Sequence, residues 1–327
     1  MSREVLDNVT TQRPCLAGPD VGADQLNNHF GRSRAVKFIR DEMLDGIVVQ
    51  LAAGMDRASV ALRGAQVLSW LPTVTTDDVL WLSPQRNRST GKPIRGGSFV
   101  CEPRCSAHHG DDEGQSSGVN HHAEWCVAST GVSKEATCIS LQLTQAMKAQ
   151  MGWPEDAHVA FDVRLSHNLE MTLTVVNTGP GVMRINEALR TYLRIGDIAT
   201  ARIQGLENRS FVDHVTQNCD DGLESHSIAF DGEIDRVYHN SPDALKVEDP
   251  KLGRVLRLRS EGSHSTAIWN PWSDKAEHLG DFGPNGFREM VCVEMANAGS
   301  RAILLKPGVV HRMTATVSVQ TLNRKKR

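Results

Sequence analysis

The 327-residue sequence has no apolar run near the roughly 20 residues that a membrane-spanning helix needs, and its N-terminus has no apolar signal core. A soluble, cytoplasmic protein without a membrane partner is therefore expected, with organelle targeting by the N-terminal extension left open. An excess of one charge is also lacking, since 36 Lys and Arg against 39 Asp and Glu give a formal net charge of −3. The only dense basic stretch is the tail "NRKKR" at 323–327, so no nucleic-acid partner is expected. Cysteines are few and odd in number, seven in all, and several sit in strand-like runs such as "VCV" around Cys292. That usage fits reduced thiols better than a disulfide framework. No Gly-rich nucleotide loop is present, and "GQSSG" at 114–118 lacks the strand–turn–helix setting of a nucleophile elbow. No cofactor is expected.

Helical periodicity is scarce as well, and period-two alternation takes its place. It runs through "IVVQLA" (47–52), "ASVALR" (58–63), "TCISLQL" (137–143), "HVAFDVRL" (158–165), "LEMTLTVVN" (169–177), "RVLRLRS" (254–260) and "HRMTATVSV" (311–319). Gly, Asn, Asp and Pro punctuate these runs at short intervals, which is the pattern of antiparallel strands joined by tight turns. Strands without long intervening helices give an all-β fold and exclude a doubly wound α/β architecture. No Gly-, Ser- or Pro-rich linker divides them. The expected organisation is a partly disordered N-terminal extension (1–35), one β-sandwich domain (36–320) and a basic tail (321–327).

Four of the thirteen histidines, His108, His109, His121 and His122, crowd into one loop-like stretch. With Cys101 and Cys105 they have a spacing loosely like a zinc cluster, but zinc ligands more often come as two separated pairs. Cys101 is read more simply as a small strand residue, and no metal site is assigned.

Five ordered segments are more specific. They are "GAQVLSW" (64–70) with "VLWLSP" (79–84), "RGGSFVCEP" (95–103), "NEALRTYLRIGDI" (186–198), "GEIDRVYHN" (232–240) and "WNPWSDKAEHLGDFGPNGFREMVCVEMANA" (269–298). Together, over roughly residues 40–320, they resemble the hexose-6-phosphate mutarotases, the glucose-6-phosphate 1-epimerase branch of the aldose 1-epimerase superfamily. The resemblance implies a galactose-mutarotase-like β-super-sandwich with a sugar site on the concave face of one sheet. It also implies anomer interconversion by a glutamate base and a histidine acid, one taking the anomeric proton while the other protonates the ring oxygen.

Glu294, in "REMVCVEMANA", matches the base; the plainer reading is an ordinary edge-facing glutamate or one paired with an arginine. The histidine positions are substituted. "EALRTYL" places Arg190 at one of them, and "SGVNHHAEW" places Ser117 at the other and His121 at a phosphate-binding arginine. Arginine stays protonated at physiological pH and cannot exchange a proton with a ring oxygen. Arg95 in "RGG" matches a 6-phosphate contact, for which a forked guanidinium is suited, with Arg104 and Arg190 as compensating cations. Asp235 and Asp281 fall on ligand-holding positions, although an Asp in a turn is often only a backbone cap. Trp269 and Trp272 are read as framework. The expectation is a protein that binds a hexose phosphate or related anionic carbohydrate, or a protein partner, with the Glu/His interconversion impaired or lost. The alternative is an active mutarotase in which Glu294 works with a relocated acid.

Overall fold

The computed structural model describes residues 16, 21–85, 94–101, 123–215, 220–240, 242–283 and 285–322. The chain opens with helix α1 (Ala23–Phe30) and strands β1 (Val36–Asp41), β2 (Gly46–Ala53), β3 (Asp56–Ala61), β4 (Gln66–Leu71) and β5 (Ser98–Cys101). Strands β6 (Cys126–Val132) and β7 (Thr137–Gln142), helix α2 (Gln145–Gln150), and strands β8 (Ala157–Leu165), β9 (Leu169–Asn177), β10 (Met183–Ile185) and β11 (Glu187–Arg194) follow. Next come β12 (Arg202–Gln204), β13 (Ser210–Asp213), β14 (Asp220–Leu223), β15 (Ile228–Ala229), β16 (Ile234–His239), β17 (Ala244–Asp249) and β18 (Arg254–Glu261). The chain closes through β19 (Ser265–Asn270), helix α3 (Trp272–His278), β20 (Met290–Asn297), β21 (Ile303–Leu305) and β22 (Val310–Thr321).

These strands form an eleven-stranded sheet in the order β1-β2-β3-β4-β5-β11-β20-β19-β16-β13-β14 and a nine-stranded sheet in the order β15-β12-β17-β18-β22-β9-β8-β7-β6, with β10 and β21 as a separate pair. All pairings are antiparallel, as short connections and period-two patterning require. The alternation converts directly into register. In β8 and β9, Val159 faces Val175, Phe161 faces Leu173 and Val163 faces Met171, and all six are fully buried. Strand β20 differs: its eight residues, MVCVEMAN, are buried on both faces, as a continuous apolar run predicts.

Two features were not anticipated. Helix α1 lies within the N-terminal stretch for which the sequence shows no periodicity. It buries Leu26, and the Asn27 amide clamps β1 by donating to the Phe38 carbonyl (2.7 Å) and accepting from the Phe38 N–H (2.9 Å). Cys126 is disulfide-bonded, whereas Cys138 and Cys292 are free, so the reading of reduced thiols throughout is corrected at this position.

Candidate functional site

Antiparallel register gathers the motif residues on one face of the large sheet. Arg190 in β11 lies opposite Glu294 in β20, which lies opposite Ala267 in β19, itself opposite Val237 in β16. One side-chain period along, Tyr192, Cys292, Trp269 and Asp235 form the next row across the same four strands. On the far side of β11, Phe99 in β5 lies opposite Arg190. Residues that chain position scatters over almost two hundred places thus share one surface.

The first row carries an ion pair. Arg190 Nε donates to Glu294 Oε2 at 2.5 Å, with the carboxylate side chain only 4% exposed and the guanidinium 24% exposed. One oxygen of the glutamate is therefore already occupied by a fixed cation, the geometry of a buried charge-assisted hydrogen bond. Glu294 is neither edge-facing nor alone.

A second ion pair is built by the "RGG" turn. Arg95 Nε donates to Asp281 Oδ1 at 2.8 Å, and its guanidinium carbon stands 5.7 Å from the Phe282 ring centroid. Gly96 and Gly97 hold φ of +113° and +68°, and a Cβ on Gly96 would lie 2.2 Å from the Trp81 carbonyl oxygen. Only glycine fits there. The Gln66 amide fixes the turn from β4 by donating to the Ile94 and Gly96 carbonyls, and the Ser83 hydroxyl donates to the Asp281 carbonyl. Behind these groups Trp81 packs on Phe282 (5.0 Å) and Tyr192 (6.0 Å), and Trp269 meets Phe282 edge-on (6.0 Å). This aromatic bed excludes water from one side of the cluster.

Asp235 is the electrostatic outlier. Burial pushes its carboxyl up to about 7, against the pull of Lys275 and Arg190 and with a further push from Glu233 and Glu294. Lys275, on α3, is itself paired with Glu233 at 2.8 Å. No hydrogen bond from a described residue reaches the Asp235 carboxylate, while its backbone carbonyl accepts the His214 amide. The buried Cys292 thiol is also pushed up by burial, and it lies within electrostatic range of Arg190, Glu294, Asp235 and Arg95 together. These four groups therefore form one cluster rather than two sites.

Of the residues picked out in the sequence, Glu294, Arg190, Arg95, Asp281 and Asp235 are brought together. Ser117, His121 and Arg104 lie outside the described residues, as do His108, His109, His122 and Cys105. The partnerships Arg190–Glu294 and Arg95–Asp281, and the Lys275–Glu233 pair beside Asp235, were not assigned from the sequence. Only strand register could have revealed the first, and no local signal marks the others. Trp269, read as framework, stands in the same row as Asp235. Two cavities, of about 260 and 290 Å³, lie elsewhere; one is lined by Thr73, Asp77, Arg254 and Thr321, the other by Glu155, Asp156, Asn177 and Arg184. Neither contains a residue of the cluster. Among the described residues no three His, Cys, Asp or Glu side chains are grouped to hold a metal ion.

Comparison with known proteins agrees with the fold. The sequence matches the aldose 1-epimerase family over residues 48–318. It is 30% identical over 257 residues to an Escherichia coli K12 protein named "Putative glucose-6-phosphate 1-epimerase", covering 78% of this chain and 84% of that one. A protein of the same name from Cenchrus ciliaris is 27% identical over 260 residues, covering 77% of this chain and 78% of the other. The crystal structure of a Salmonella typhimurium mutarotase-type protein superposes with a TM-score of 0.77 at 23% identity, covering 97% of this chain and 99% of that one. The Haemophilus influenzae protein HI1317 gives 0.70 at 23% identity over 87% and 96%. A galactose-mutarotase-like β-super-sandwich that matches the family model over most of its length identifies this chain as a member of the aldose 1-epimerase family, on its glucose-6-phosphate 1-epimerase branch.

Proposed function

We propose that the cluster on the large sheet binds a hexose phosphate or a related anionic carbohydrate, and that interconversion of its anomers by the glutamate–histidine route is lost. The observation that carries this reading is the Arg190–Glu294 ion pair. A guanidinium stands where the route needs a group that gives and takes a proton, and it engages the carboxylate that would act as base. Family membership supports the ligand class: the relatives' names specify glucose 6-phosphate, and Arg95 on its glycine-built turn offers a guanidinium suited to a phosphate.

The reading is tested by thermal shift and by magnetisation-exchange NMR on the two anomers of glucose 6-phosphate. Binding is expected to raise the melting temperature by an amount that grows with ligand concentration. Exchange as fast as that of a histidine-bearing relative would refute loss of the route. A melting temperature unmoved by millimolar hexose phosphates would refute the ligand class.

A further inference from the structure

Three acids and two cations meet around Asp235. Arg190, from β11, is committed to Glu294 of β20 at 2.5 Å, and Lys275, from α3, to Glu233 at 2.8 Å. Cys292 of β20 and Trp269 of β19, among the described residues, share the row of Asp235, and the His214 amide donates to its backbone carbonyl. Among the described residues Asp235 alone of the three acids has no cation bound to its carboxylate. Asp235 is half-buried; a carboxyl shielded in this way and unpaired holds a proton that a paired neighbour gives up, and two acids driven apart have the character of an acid–base pair.

The spacing suits a sugar ring. From Glu294 to Asp235 the register runs two strands across and one side-chain period along, about 10 Å by about 7 Å between backbones. Two carboxyl side chains reaching inward from those positions leave a gap on the order of one pyranose ring.

We propose that Asp235 is the proton donor to the ring oxygen of the bound sugar, with Glu294 as the base, so that slow anomer exchange survives without a histidine. The proposal rests on the binding reading above. In ring opening Glu294 takes the proton of the anomeric hydroxyl and C1–O1 becomes a carbonyl. The C1–O5 bond breaks with its electron pair going to O5, which receives the Asp235 proton. Closure on the other face of the carbonyl reverses each transfer, restores both carboxyls and needs no co-reactant. The proton on Asp235 is available near neutrality because that carboxyl titrates at about 7.

The test is magnetisation exchange between the anomers of glucose 6-phosphate with the full-length protein at pH 6, 7 and 8, alongside Asp235→Asn and Glu294→Gln. The melting temperature of each variant without ligand establishes that it is folded. Exchange above buffer is expected to fall about tenfold between pH 6 and pH 8, as the protonated fraction of a group titrating near 7 does, and to vanish in both variants. Bound ligand with no exchange above buffer overturns the proposal and leaves the binding reading intact. Exchange that is flat with pH, or that persists in Asp235→Asn, overturns it as well. Absence of any ligand-induced thermal shift in the wild-type protein overturns the binding reading and the proposal together. If Asp235→Asn does not fold, Asp235→Glu takes its place: exchange that keeps both the wild-type rate and the wild-type pH midpoint in a folded Asp235→Glu overturns the proposal, since a histidine titrating near 6.5 would give the same fall with pH.

Discussion

At the scale of single residues, the proposed loss of the glutamate–histidine route rests on a guanidinium held against Glu294, and the proposal can be tested by putting a proton carrier there. Arg190→His puts an imidazole opposite Glu294, at the register position that Arg190 holds. Anomer exchange of glucose 6-phosphate is expected to rise at least about tenfold over wild type, since a positioned acid or base contributes 10²- to 10⁴-fold. An unchanged rate in a folded variant would refute the proposal that Arg190 is what blocks the glutamate–histidine route. Asp235 makes a separate prediction about stability. Its folded-state carboxyl sits at about 7 against an unfolded value of 3.8, so the native state holds the extra proton between those limits. Stability must then decline as pH rises from about 4 to about 7, and the loss persists above. Asp235→Asn removes this slope, so it should stabilise the fold more at pH 8 than at pH 5. Urea titrations at the two pH values measure this, and an equal effect at both would contradict a shifted carboxyl.

Individual elements show which features a sequence discloses. The apolar–polar alternation of β8, β9 and β22 is legible because a strand with one buried face must write it every second residue. Glu294 is legible as well: a carboxylate in the apolar run of β20 has to be explained by a partner or a function. The partner was not legible, because the pairing of Arg190 with Glu294 across 104 positions is a property of register, which no local pattern states. Helix α1 escaped for a related reason. Its apolar stripe is only three residues, Ala23, Leu26 and Phe30, with Leu26 alone fully buried, and the Asn27 clamp on β1 is a tertiary contact. The "RGG" turn, by contrast, was visible as a motif, and its geometry explains both glycines. Gly96→Ala would place a methyl 2.2 Å from the Trp81 carbonyl at a φ of +113°. A loss of about 2 kcal/mol or more is expected from chemical denaturation, with weaker hexose-phosphate binding because Arg95 moves with the turn. A loss under about 0.5 kcal/mol would show that the turn relaxes freely.

Across the whole molecule the two large sheets are joined by more than apolar packing, and Arg254 is one of the groups that ties them. It belongs to β18 in the nine-stranded sheet and donates to the carbonyl of Arg194, at the end of β11 in the eleven-stranded sheet, at 2.8 Å. Weaker contacts reach the carbonyls of Asp77 and Asp78 at 3.4 and 3.5 Å, and Asp249 of β17 lies 3.5 Å from Nε. Both charged side chains are almost wholly buried, at 1% and 0% exposure. The pair was half legible in "RVLRLRS": Arg257 and Arg259 alternate outward with a period of two, whereas Arg254 shares the inward phase of Leu256 and Leu258. What the phase could not say is which partner admits an arginine to the core. Burial pushes the Asp249 carboxyl up and the Arg254 guanidinium down, so each ion is tolerated because of the other and of the carbonyls around them. Arg254→Met fills most of the volume but strands a buried carboxylate and removes the link to β11. A loss of about 3–5 kcal/mol is expected in urea denaturation. The double variant with Asp249→Asn removes the stranded charge and should recover a substantial part of that loss, the remainder being the lost link between sheets. A double variant no more stable than Arg254→Met would mean that the carbonyl contacts, rather than the ion pair, hold the sheets in register at this corner.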